Sequence, residues 1–165
     1  MSTSALANSD MTTTCINPLI ISVDAVFETM LGCSPQRCGL TIKDERTPKY
    51  DLSAVIGVTG KAVGTIVLSL PSETALNVLD RMIGVKVSGI DKQVRDALGE
   101  LANMIAGQTK AKLERLELAI SVPNIIEGRN HSIHYPMALK PVGILFESEL
   151  GPFSIEMAFK QSNLD

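Results

Sequence analysis

Apolar residues recur at helical spacing through Val94–Leu116, the longest periodic run in the chain. At about 100° per residue, Val94, Leu98, Leu101, Ile105 and Leu116 fall on one narrow stripe. Asp96, Glu100, Asn103, Gly107, Lys110 and Glu114 fall on the opposite face. Asp96, Glu100 and Asn103 follow i, i+4, i+7 spacing, so their side chains stand one above another across two turns. The pattern predicts a rigid helix that buries one stripe and turns a carboxylate and a carboxamide, side by side, toward solvent.

The flanking segments read as shorter elements. Asn17 followed by Pro18 predicts a helix start, with Ile20, Val23, Phe27 and Met30 or Leu31 inward and Gly32 as the stop. Strands are expected over Arg37–Lys43, Asp51–Thr59 and Val63–Leu70, the last two joined by a hairpin at Gly60-Lys61. Pro71-Ser72-Glu73 opens a helix through Met82, with Ala75, Leu76 and Leu79 inward and Gly84 ending it. Lys86–Gly89 is a linker. Beyond the long helix, Ala119–Val122 is a short strand candidate and Ile125–Gly128 is apolar before a turn. Ser132–Leu139, Val142–Glu149 and Phe153–Lys160 are the last strand candidates, and the alternation of the final one predicts a half-buried strand.

Strand runs joined by hairpins and separated by helices predict an α+β fold, a largely antiparallel sheet packed with the long helix. The two halves share a helix-then-strands order, which points to an internal structural repeat with little residue identity. Met1–Thr14, rich in Ser, Thr, Ala and Asn, reads as a disordered leader. The expected organisation is a disordered leader over residues 1–15 and a single domain over residues 16–162.

Composition narrows the function classes. Of 165 residues, 45% are hydrophobic and 4% aromatic with no Trp, so the core must rest on Ile, Val, Leu and Met. A net charge of −3 argues against nucleic acid and anionic membranes as partners, since both require basic patches. No run reaches transmembrane length and the N-terminus lacks a signal-peptide pattern, so a cytoplasmic location and no membrane partner are expected. Cys15, Cys33 and Cys38 form no CxxC. Cys33 and Cys38 flank the Pro35 turn and could approach each other, but reduced structural thiols are the favoured reading.

From the helix pattern alone, Asp96, Glu100 and Asn103 read most simply as a solvated face. Other chemistry fares worse. His131 and His134 lie three apart at the start of a strand candidate, hence on opposite faces, make poor metal partners and read as exposed loop histidines. There is no Gly-x-Ser-x-Gly motif, and Gly57-Val58-Thr59-Gly60-Lys61 is a hairpin tip and no phosphate loop.

The run Asp96-x-x-x-Glu100-x-x-Asn103 resembles the signature of the CheC/CheX/FliY family of chemotaxis phosphatases, with the CheX branch the nearer match. The likeness continues through Asn17, Ser22-Val23 and Phe27-Glu28-Thr29, then Val55–Gly60 and Ser72–Leu76. It also takes in Gly99-Glu100-Leu101, Asn103-Met104, Ala106-Gly107, Pro123 and Gly128-Arg129, and so spans roughly Asn17–Lys160. The bare Glu-x-x-Asn pattern recurs at Glu127–Asn130, where Gly128 implies a loop. It is incomplete in the first helix, where Asp24-x-x-x-Glu28-x-x-Leu31 carries Leu31 in place of the amide; one site per chain is expected.

The resemblance implies a phosphatase that docks on a phosphorylated CheY-like response regulator and accelerates hydrolysis of its aspartyl phosphate. It implies that Asn103 holds a water in line with the phosphorus and that Glu100 pairs with a lysine of the regulator. Asp96 is an auxiliary residue on this reading, and Gly99 and Gly107 let the partner surface approach. It implies no cofactor of the chain's own, Mg²⁺ being supplied by the regulator. A symmetric homodimer paired through a sheet edge, Val142–Glu149, is also expected. The alternatives are a receiver-binding module without turnover and a structural component resembling the flagellar switch.

Overall fold

The computed structural model describes residues 3–43, 48–135 and 139–163. Among the described residues, three α-helices pack against a seven-stranded sheet in which every pairing is antiparallel. The helices are α1 (Thr3–Val26), α2 (Ser72–Ile83) and α3 (Lys92–Lys112). The strands are β1 (Gln36–Ile42), β2 (Leu52–Thr59), β3 (Ala62–Leu70), β4 (Ala119–Ile120), β5 (Asn124–Glu127), β6 (Val142–Ser148) and β7 (Gly151–Gln161). Sheet order is β1-β6-β7-β3-β2-β4, with β5 also on β2. With β5 taken as the strand beyond β2, exchanging β1 with β5, β2 with β6 and β3 with β7 only reverses the order, and β4 alone has no counterpart. The expected internal repeat is therefore a pseudo-twofold between β3 and β7, which sets α1 and α3 in equivalent roles.

The core lies between α1, α3 and the inner sheet face. Phe153 stacks on Phe27 and Phe146 with ring centroids 4.5 and 4.9 Å apart. At the heart of the fold, a Cβ on Gly64 would lie 2.3 Å from the Ala158 carbonyl oxygen, so only glycine lets β3 and β7 approach there. Asp91 caps α3 by accepting from the Val94 amide at 3.0 Å. Gly84 ends α2 in the left-handed conformation.

The N-terminal expectation is corrected. The helix begins at Thr3, not Asn17, and Pro18 sits inside it. An internal proline removes one hydrogen bond and costs a helix about 3 kcal/mol. Packing overrides that preference: Thr12 and Cys15 are buried, and the Ser22 hydroxyl donates to the Pro18 carbonyl at 2.7 Å. β6 pairs with β7 only as far as Met157, and beyond it the Thr12 hydroxyl accepts from the Phe159 amide and donates to its carbonyl. Residues 3–14, expected to be disordered, are thus helical, and Thr12 is docked. The helix runs on through a π turn (Phe27–Leu31) to Gly32. Met11–Leu31 is long and apolar enough to cross a membrane by length and composition, contrary to expectation. Its Cys15, Leu19, Val23 and Phe27 are spent on the core.

Three strand readings also change. β7 is buried on both faces, because Ile133, Tyr135 and Val67 cover Ala158 on the outer side. There the buried Glu156 pairs with Lys43 and accepts from the Tyr135 hydroxyl at 3.0 Å. Burial, then the Glu156 charge, push the Tyr135 phenol up and hold its proton. Of the expected strand Ser132–Leu139, residues 132–135 are irregular and residues 136–138 lie outside the described residues. Ile133 and Tyr135 belong to the cover on the outer face. Ile125–Glu127, read as apolar before a turn, is part of a strand pairing with β2.

Candidate functional site

The helical stripe is oriented as its periodicity predicts. Val94, Leu98, Leu101 and Ile105 are buried, joined by Ala97, Ala102, Ala106 and Thr109; Leu116 is buried in a 3₁₀ turn just beyond the helix. Asp96, Glu100 and Asn103 are exposed. They line an open groove of about 510 Å³ whose other wall is the β4–β5 connection: Ile120, Ser121, Val122, Pro123 and Ile125. Arg95 and Gly99 complete the lining.

Within this groove the polar groups divide into engaged and free. Asp96 is paired with Lys92 at 2.7 Å, one turn back on the same helix. Arg95 reaches Glu127 on β5 at 3.3 Å, tying α3 to the opposite wall. Among the described residues Glu100 and Asn103 have no intramolecular hydrogen-bond or ion-pair partner. A carboxylate and a carboxamide one turn apart, both exposed and both unengaged, are available to a visiting molecule.

The two glycines separate. An added Cβ at Gly99 would meet Ile125 Cδ1 at 3.7 Å and Pro123 at 3.9 Å, so its missing side chain leaves the groove open toward the chain's own wall. Gly107 lies outside that groove, in a second depression of about 440 Å³ with Lys110, Glu114 and Glu117.

The wall at Ser121–Pro123 was not expected to belong to the site, although Ala119–Val122 reads as a strand and Pro123 is part of the family likeness. Val122 does carry a visible signal, a lone β-branched residue beside a proline, but such a dipeptide also fits a buried strand end. Only the pairing of Ser121 with Gly57 aims the wall at α3.

Other sequence candidates resolve simply. Glu127–Asn130 is no second site: Gly128 and Asn130 both have positive φ, which breaks any helical stacking. In the π turn of the equivalent first helix, Leu31 is buried. His131 makes bonds to the Gly128 carbonyl at 2.7 Å and the Ser53 hydroxyl at 3.0 Å. Ser53 is fully buried, so this Ser–His contact is closed to a substrate. Among the described residues no three His, Cys, Asp or Glu side chains gather as metal ligands.

The family model for the chemotaxis phosphatase CheX matches residues 52–147, more than half of the chain. The chain belongs to the CheX family. A Thermotoga maritima protein named CheY-P phosphatase CheX is 32% identical over 144 residues, covering 86% of this chain and 89% of the relative. The crystal structure of a chemotaxis protein CheX from Desulfovibrio desulfuricans aligns with TM-score 0.79 and 29% identity, over 89% of this chain and 99% of that one. A CheX–CheY–BeF₃–Mg²⁺ complex from Borrelia burgdorferi shares the fold at TM-score 0.73 and 20% identity, over 88% and 97% of the two chains. In this CheX-family chain the matched region runs from β2 into β6 and contains all of α3 with its exposed face.

Proposed function

We propose that this chain is a phosphatase of phosphorylated CheY-like receivers, docking through α3 and accelerating hydrolysis of the aspartyl phosphate so that the signal ends. The observation that carries the reading is the pair Glu100 and Asn103, exposed and unengaged in one groove while their charged neighbours are paired.

An acyl phosphate is already reactive, so orienting one water is enough to accelerate its loss substantially. The water's oxygen bonds to phosphorus as the acyl P–O bond breaks, releasing inorganic phosphate and restoring the receiver's carboxylate. Asn103 orients that water: its neutral amide does not repel the phosphoryl oxygens, the role a glutamine plays in small GTPases. Glu100 pairs with a lysine of the receiver and fixes the docking geometry. Asp96, neutralised by Lys92, is auxiliary. On this reading Mg²⁺ belongs to the receiver.

The intact Glu100 and Asn103 favour this activity over a purely structural role in a flagellar switch. The membership of the CheX family and the free thiols support action in the cytoplasm. The dimer we propose forms at β1 and not at the expected edge Val142–Glu149. β6 is paired on both sides, by β1 and β7, and has no edge to offer. β1 is the outer strand and exposes Leu40 and Ile42.

The test follows decay of a phosphorylated receiver from the same organism with wild type and Glu100→Ala under excess Mg²⁺. Wild type should accelerate decay. Glu100→Ala should raise KM, and added salt should weaken wild type in the same direction. A wild-type chain that binds the receiver without accelerating decay is a binding module and refutes the proposal.

A further inference from the structure

Across the groove from Glu100 stands an apolar side chain that the fold leaves in solvent. Val122 is 83% exposed, more than any other exposed large hydrophobic among the described residues. It is also held firmly. The Ser121 amide donates to the Gly57 carbonyl at 2.8 Å, the Gly57 amide donates to the Ser121 hydroxyl at 2.8 Å, and that hydroxyl donates to the Val122 carbonyl at 3.1 Å. Pro123 restricts Val122 to extended conformations, and a β-branched side chain has few rotamers to lose.

A fixed, exposed apolar group loses little entropy on binding and so suits a contact surface. The wall below it continues through Ile120, Pro123 and Ile125, while the facing helix offers Glu100 as a carboxylate without an intramolecular partner. An occupant must therefore bring a cation for Glu100 and an apolar side chain for the wall. A free anionic phosphate ester or acyl phosphate offers neither, and would be repelled by Glu100. A protein surface offers both.

We propose that Val122 and the β4–β5 wall form a second anchor for the receiver, gripping an apolar side chain beside the cation that pairs with Glu100. This rests on the phosphatase reading and extends it to specificity. Asn103 acts on the water, whereas Val122 selects which receivers dock.

The test uses the full chain as wild type, Val122→Ser and Val122→Ile. The probe is a CheY-like receiver of the same organism loaded with BeF₃⁻ and Mg²⁺, with decay of the phosphorylated receiver measured in parallel. Val122→Ser should weaken Kd and raise KM about tenfold, the scale of an interface anchor truncated, with kcat and thermal melting unchanged. Val122→Ile should stay within about twofold of wild type, because it keeps the apolar contact. Equal binding by Val122→Ser and wild type overturns the proposal, as does a fall in kcat at unchanged KM. A change in oligomeric state in place of receiver affinity also overturns it, since the wall would then meet a second copy of this chain. If wild type binds but does not hydrolyse, the phosphatase reading fails and the affinity comparison still decides the anchor. If wild type binds no receiver, both fail.

Discussion

Replacing Asn103 by alanine separates catalysis from folding at the centre of the groove. The side chain is exposed and has no intramolecular partner among the described residues, so its removal opens no cavity and breaks no bond. Alanine also sustains a helix better than asparagine by roughly 0.5 kcal/mol. Folding stability should thus be unchanged or slightly raised, by no more than about 2 °C in Tm for a chain of this size. Turnover should behave differently. Losing one preorganised group that acts on the reacting atoms typically costs about 3–4 kcal/mol, or roughly 10²–10³-fold in rate. Decay of a phosphorylated receiver under excess Mg²⁺, measured against enzyme concentration, reads that loss, and thermal melting by circular dichroism reads the control. Asn103→Asp should fail as well, because a new anion repels the phosphoryl group. Wild-type activity in Asn103→Ala would refute the water-orienting mechanism even with the family unchanged. A stability loss above about 2 kcal/mol would instead mean that the residue faces the core.

Three further outcomes are expected. Leu101 is fully buried, so Leu101→Ala should lose about 2–5 kcal/mol in urea denaturation while Glu100→Ala stays within about 0.5 kcal/mol; the reverse order would mean that α3 is rotated. Burial pushes the Cys15 thiol up to about 11 from 9.0, with Arg115 opposing weakly. A raised folded-state value contributes stability that is present below pH 9 and lost as pH rises toward 11. Wild type should lose of order 2–3 kcal/mol more than Cys15→Ala over that window. Light scattering should give a dimer mass at high micromolar concentration and a monomer for Ile42→Lys, which places a charge on the exposed β1 edge; a monomeric wild type refutes the edge pairing.

Much of this protein was legible one segment at a time. The α3 pattern identified its buried stripe and its exposed acid–amide face, because helical periodicity is a local property that Val94, Leu98, Leu101 and Ile105 all obey. β2, β3, β6 and β7 were likewise visible as β-rich runs, and Gly60 and Gly84 as turn and stop. The resemblance carried by Asp96, Glu100 and Asn103 led to the family that the matched region establishes.

What failed locally depended on partners distant in sequence. A Thr- and Ser-rich segment looks unable to order itself, and Pro18 looks like a helix start. Neither judgement can know that Phe159, 147 residues from Thr12, leaves backbone groups for its hydroxyl once β6 has ended. Strand alternation assigned one wet face to β7, yet Tyr135 and Lys43 converge on Glu156 and seal it. The edge of the sheet could not be read from strand composition, because edge or centre is a property of neighbours. The same holds for the site. Sequence alone determined which side chains α3 presents, since that needs only the pitch of a helix. Tertiary structure decided which stay free, by spending Lys92 on Asp96 and Glu127 on Arg95, and it decided what faces them, by pinning Ser121 to Gly57 and turning Val122 outward.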